Sequence, residues 1–149
     1  MPTVPDPDSV LGVGIDLVDV ARMRTTLERT PSIVDRIFTD AEVADAEARG
    51  DRAERYAARF AAKEAVLKAL GSGLGSVSLR AIEVVRAEAG APSVRLHDGA
   101  SDLARQRGVG ALLVSLTHTA TSAGAVVVAT TGATKGATTG GEPDGGPGG

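Results

Sequence analysis

From Asp51 to Leu70 the chain runs without a glycine or a proline, and Gly50 and Gly71 stand at its two ends. Such a stretch is built to be a helix. Asp51 is a good N-cap, Glu54 falls at the third helical position, and Gly71 is a common C-terminal stop. It is the longest element the sequence supports, so the rest of the fold has to form around it. On a 3.6-residue period Ala57, Phe60, Ala61, Glu64, Leu67 and Lys68 lie on neighbouring parts of one face. Glu64 and Lys68 have the i, i+4 spacing of an ordinary surface ion pair. Their surroundings argue for more: the carboxylate lies beside an apolar stripe, and Ala61, Ala62 and Ala65 leave room for a backbone or a ligand to come close.

The other segments are shorter. Leu11 to Val20 alternates small and branched apolar residues with Gly and Asp and reads as a strand. Arg22 to Arg29 reads as a helix that Pro31 interrupts. Thr39-Asp40-Ala41-Glu42 has capping-box spacing, which predicts a helix from about residue 40 to 49. A flexible loop follows at 71–76, and then the period changes. Ile82 to Val85 and Ser93 to Leu96 read as strands joined by a turn at Gly90-Ala91-Pro92. A helix from Asp98 to Arg107 and two strands, Leu112 to Thr117 and Ala125 to Thr130, complete the pattern. The order predicts an α+β fold, an antiparallel sheet with helices inserted after its first strand. Residues 1–10 read as a disordered lead-in and 11–130 as one domain. Residues 131–149, rich in Gly and Thr and without large apolar anchors, read as a disordered tail.

Composition narrows the function. The apolar fraction of 42 % supports a core, but only 2 % of the residues are aromatic, so that core is made of small aliphatic side chains. Such a core leaves a single copy marginally stable and predicts an oligomer. The net charge of −3 argues against a dedicated nucleic-acid binder. With no Cys, disulfides, thiolate catalysis and Cys-based zinc sites are excluded, and two His cannot make a His-rich metal site. No apolar run reaches the ~18 residues of a membrane span. Met1 to Asp8 lacks the basic start of a signal peptide. A cytoplasmic protein with no membrane partner is the expectation.

Three stretches carry candidate chemistry. Gly12-Val13-Gly14-Ile15-Asp16 places an Asp inside an apolar strand, where Asp is disfavoured and where glycines mark close backbone approach. Asp19 points to the opposite face from Asp16, so an undistorted strand cannot bring both to one ion. Gly12 and Gly14 lack the third glycine of a dinucleotide fingerprint, and no P-loop is present. His118 stands at a strand end among Thr117, Thr119 and Thr121, a place for a structural His or for a phosphate or base contact. Arg22 and Arg24 follow the Asp-bearing strand and read either as a solvated face or as a basic patch for an acidic partner.

Together, in order and spacing, Gly12 to Asp16, Phe60-Ala61-Ala62-Lys63-Glu64-Ala65-Val66-Leu67-Lys68-Ala69 and Ser115 to Thr119 resemble the acyl-carrier-protein synthases, the short bacterial type of 4'-phosphopantetheinyl transferase. The match covers about residues 11 to 130. The resemblance implies transfer of the 4'-phosphopantetheine arm of coenzyme A to a serine of apo acyl carrier protein, with adenosine 3',5'-bisphosphate released. It implies Mg2+ held by Asp16 and Glu64, with Lys68 near the phosphates as the third catalytic residue. It places Arg59, Lys63, Lys68, Gly71 and His118 at coenzyme A, and Arg22, with Arg24 beside it, at the carrier protein. It also implies a homotrimer with sites in the clefts between subunits.

The residue types suit that chemistry. Serine attack on a phosphate builds negative charge, which a carboxylate-held cation and a Lys neutralise with no covalent enzyme intermediate. Two other readings use the same residues: a metal-dependent phosphohydrolase of nucleotide diphosphates, and a non-catalytic trimeric coenzyme A-binding module. Intact Asp16, Glu64 and Lys68 argue against the second.

Overall fold

The first strand, β1 (Val10–Asp19), turns its small and polar residues inward and its large apolar residues outward. Gly12, Gly14, Asp16 and Val18 share the inner face, while Val13, Ile15 and Leu17 stand exposed on the other. The cause is the long helix that crosses the inner face, α4 (Arg52–Ala69). It lies so close that a Cβ on Gly14 would stand 1.8 Å from the carbonyl oxygen of Ala65, and one on Gly12 2.1 Å from that of Ala69. No side chain fits there, so the two glycines set the distance between helix and strand.

The computed structural model describes residues 7–48, 50–73, 75–86 and 90–132. After β1 come α1 (Val20–Arg29), α2 (Ile33–Ile37), α3 (Asp40–Glu47) and α4. Next are β2 (Ile82–Arg86), β3 (Pro92–Leu96), α5 (Asp98–Gln106), β4 (Ala111–His118) and β5 (Ser122–Thr130). Strands β1, β5 and β4, in that spatial order, make one antiparallel sheet, and β2 and β3 make a separate antiparallel pair. The fold is therefore α+β with helices inserted after the first strand, and its strands divide between two sheets. In the register Ile15 pairs with Val126, and Val126 with Ser115.

Helix α4 organises the interior. Its Ala61, Ala65 and Val66 pack with Ala125, Val127 and Ala129 of β5 in one apolar cluster. Its N-terminal half carries Tyr56 and Ala57 into a second cluster with Val20, Met23, Leu27 and Phe38, which holds α1 to α3. The rings of Phe38 and Tyr56 meet with centroids 4.7 Å apart. Local signals set the ends of α4. Asp51 accepts from the Ala53 N–H at 3.0 Å. Beyond Leu70, Gly71 takes φ +70°, its N–H donates to the Lys68 carbonyl, and the Ser72 N–H reaches back to that of Leu67. This is a Schellman stop.

Some elements differ from the sequence reading. Helix α2 has no side-chain cap and is five residues long, too short to show a period. Strand β5 begins at Ser122, because pairing with β1 carries the weak strand formers Ala123 and Gly124. His118 is the last residue of β4 rather than the residue after it. Residues 7–9 form a short 3-10 turn. The rest of the expected lead-in, residues 1–6, and the tail from 133 to 149 lie outside the described residues. Among the described residues no helix is long and apolar enough to cross a membrane.

Candidate active site

The close seam between β1 and α4 brings Asp16, Glu64 and Lys68 together. Lys68 Nζ donates to the Ile15 carbonyl at 2.8 Å and to Asp16 Oδ1 at 3.2 Å. Glu64 is buried, and its Oε1 has no hydrogen-bond partner. Burial pushes the Glu64 carboxyl pKa upward, Asp16 pushes the same way, and Lys68 opposes them. A buried carboxylate oxygen without a donor is costly unless something positive occupies its open side.

Glu64 and Asp16 border a cleft of about 520 Å3 whose other walls include Arg22, Met23, Ile33 and Phe60. Arg22 thus stands at the same opening as the carboxylates, with its backbone N–H capped by Asp19 Oδ1 at 3.2 Å. Asp19 borders the same cleft, but its side chain serves as the cap of α1.

A second cavity, of about 500 Å3, is lined by Arg59 and His118 together with Glu54, Arg55 and Arg86. The Arg59 side chain is only 5 % exposed and reaches Asp45 at 3.3 Å, yet its Nε is buried without a partner. Burial pushes the Arg59 pKa down. His118 Nδ1 lies 3.1 Å from Glu54 Oε1. The sequence reading did not single out Glu54, Arg55 or Arg86 as site residues. Glu54 stands at a helix-capping position, which hid its second use, and nothing in the sequence marks Arg86.

Two expected site residues are otherwise engaged. Lys63 is fully buried, with Nζ 2.6 Å from Glu42 Oε1, 3.0 Å from the Leu79 carbonyl and also donating to that of Ile82. All three donors of the ammonium are used inside the core. That placement corrects the expected coenzyme A contact to a structural ion pair. Arg24 forms a two-pronged pair with Asp51, at 3.0 and 2.7 Å, and so ties α1 to the cap of α4. Gly71 sits at the stop of α4, where a Cβ would meet Arg107 Nη1 at 3.0 Å.

Residues 12–127 match the family model described as the 4'-phosphopantetheinyl transferase superfamily. The chain belongs to that superfamily. Among transferases of this family, a holo-[acyl-carrier-protein] synthase of Moorella thermoacetica is 47 % identical over 119 residues, 80 % of this chain and 93 % of the relative. The crystal structure of a holo-[acyl-carrier-protein] synthase from Neisseria meningitidis matches with a TM-score of 0.73 at 30 % identity, over 80 % of this chain and 98 % of the other. That of the Helicobacter pylori synthase in complex with coenzyme A matches with a TM-score of 0.70 at 29 % identity, over 79 % and 99 %.

The transferase seam also suits a hard cation. Among the described residues no group of three or more His, Asp or Glu side chains gathers as a metal cage. Two carboxylates, one with an orphaned buried oxygen, match Mg2+, which takes few protein ligands and keeps the rest for water and substrate phosphate.

Proposed function

We infer that this chain is a cytoplasmic, Mg2+-dependent transferase that moves 4'-phosphopantetheine from coenzyme A to a serine of apo acyl carrier protein. One observation carries the reading: in a chain of this superfamily, Glu64 keeps an unpartnered buried oxygen beside Asp16 and Lys68. The names of its relatives and the coenzyme A complex of a structural neighbour support it.

Asp16 and Glu64 would hold the Mg2+. When bound, Mg2+ supplies positive charge against the diphosphate of coenzyme A. Lys68, half exposed, keeps a free donor for a phosphate oxygen. The serine hydroxyl gives its proton to water, its oxygen forms the new P–O bond, the bond to adenosine 3',5'-bisphosphate breaks, and Lys68 helps to neutralise the charge that builds between them. Arg59 and His118 take the nucleotide half of coenzyme A in their cavity, and Gly71 lets the ligand pass close to the end of α4. Arg22, at the mouth of the cleft, meets the acidic carrier protein. Arg24 acts from behind it by fixing α1 through Asp51.

We further propose that the working form is a homotrimer. On the outer face of β1, Leu11, Val13, Ile15 and Leu17 are 48, 59, 65 and 73 % exposed, and Val126 and Leu113 extend the patch across the sheet. A contiguous apolar face of this kind marks a contact surface.

The test is mass spectrometry of an apo acyl carrier protein incubated with this chain, coenzyme A and Mg2+. A gain of one phosphopantetheine group on the carrier supports the transfer. Breakdown of coenzyme A without carrier, and no carrier adduct, would favour the phosphohydrolase instead.

A further inference from the structure

The pair formed by Glu54 and His118 joins the first turn of α4 to the last residue of β4, at the rim of the second cavity. Glu54 Oε1 stands 3.1 Å from His118 Nδ1, and both residues line the cavity. The two side chains are 30 % and 55 % exposed, so the contact adds little to stability. Its consequence is orientation. With Nδ1 against the carboxylate, the other ring nitrogen, Nε2, is the one left for a ligand. Arg59 lines the same cavity, its Nε buried and without an acceptor, and Arg55 and Arg86 add positive charge to the lining. Asp51, the other acid there, is already bonded to Arg24.

We propose that Glu54 is a positioning residue. It holds the His118 ring so that Nε2 and Arg59 together grip a phosphate monoester on the ribose of the nucleotide. Resting on the transferase reading above, this gives Glu54 a role in donor recognition, not in phosphoryl transfer. Loss of its charge weakens the grip on donors that carry that phosphate and leaves donors without it unaffected.

The experiment compares the wild type, Glu54→Gln, Glu54→Asp, His118→Gln and the Glu54→Gln/His118→Gln double variant, with coenzyme A and with 3'-dephospho-coenzyme A as donor. Circular dichroism melts confirm that each variant folds. Glu54→Gln is expected to raise KM for coenzyme A about tenfold, with kcat within about twofold and KM for the dephospho donor unchanged. Glu54→Asp should recover part of the loss, and the double variant should be no worse than His118→Gln alone, because one residue works through the other. An equal rise in KM for both donors, or a Glu54→Gln loss that persists in the His118→Gln background, overturns the inference while leaving His118 in place. If His118→Gln itself leaves KM for coenzyme A unchanged, the cavity is not the nucleotide site, and the parent assignment falls together with this one.

Discussion

The requirements of folding and those of the role proposed for Glu64 pull apart. Its pKa is raised in the folded chain, first by burial and then by Asp16. A carboxyl with a raised folded pKa contributes stability below its unfolded pKa and loses it as pH rises through the folded value. In metal-free protein, therefore, Glu64→Gln should remove a decline in stability between the ordinary carboxyl range and that raised value. At neutral pH its melting temperature should equal or exceed that of the wild type by about 2 °C. Mg2+ should raise the melting temperature of the wild type and leave that of Glu64→Gln unmoved. The same variant should lose most transfer activity, on the order of a hundredfold or more, and adding Asp16→Asn should cost little further. Scanning calorimetry across pH, with and without Mg2+, together with turnover assays, reads these outcomes. Much of this cluster was legible in the sequence, because an Asp inside an apolar strand and a Glu beside an apolar helix stripe each break a local preference. Lys63 was not legible. It adjoins Glu64 in sequence, but the helix turns it about 100° away, into the core, where only the fold supplies Glu42. Lys63→Met should accordingly cost about 3–5 kcal/mol in urea unfolding by stranding a buried acid. Glu42→Gln/Lys63→Met should regain a good part of that, and KM for coenzyme A in the folded fraction should stay unchanged.

At the scale of elements, the ends of helices were the easiest to read and the faces of strands the hardest. The capping box of α3 forms in full: Thr39 Oγ1 accepts from the Glu42 N–H at 3.2 Å, and Glu42 Oε1 from the Thr39 N–H at 2.9 Å. Asp51 and Gly71 begin and end α4 by equally local means. Which face of β1 points inward is not local. The usual rule puts the large apolar side chains inside, and here α4 takes that place with its own backbone. Gly14 is the tightest point of the seam. Gly14→Ala places a methyl 1.8 Å from a backbone oxygen, so either the helix or the strand must move. A loss on the order of 3 kcal/mol follows, visible in a thermal melt. Activity should fall further than the folded fraction does, because Lys68 and Glu64 ride on the displaced helix. The pairing of Glu54 with His118 was out of reach of local reading for a related reason. A helix start and a strand end meet only after the whole chain between them has folded.

For the whole molecule, the small aliphatic core and the outward face of β1 point the same way. A chain with 2 % aromatic residues leaves Leu11, Val13, Ile15 and Leu17 exposed on the outer face of one strand. Assembly through that face predicts that Ile15→Lys disperses the oligomer, as read by sedimentation equilibrium. It also predicts that the specific activity of the wild type falls on dilution, because sites between subunits vanish with the assembly. A wild type that stays monomeric at micromolar concentration and keeps full specific activity would remove the trimer from the account. Composition alone predicts an assembly. It does not locate the face proposed for it, because alternation marks two faces of a strand without saying which one meets the protein's own helix.

A strand whose inner face is fitted this closely to a helix cannot change its length. Inserting or deleting one residue between Gly14 and Asp16 would reverse the facing of everything beyond it. Asp16 would swing out among the aliphatic side chains of the outer surface, and a branched side chain would be driven toward the carbonyls of α4. Substitutions along β1 have graded effects, whereas a change of length is all or none. Room to lengthen the chain lies in the loops instead, such as the one that follows Gly71, where no pleat has to stay in phase.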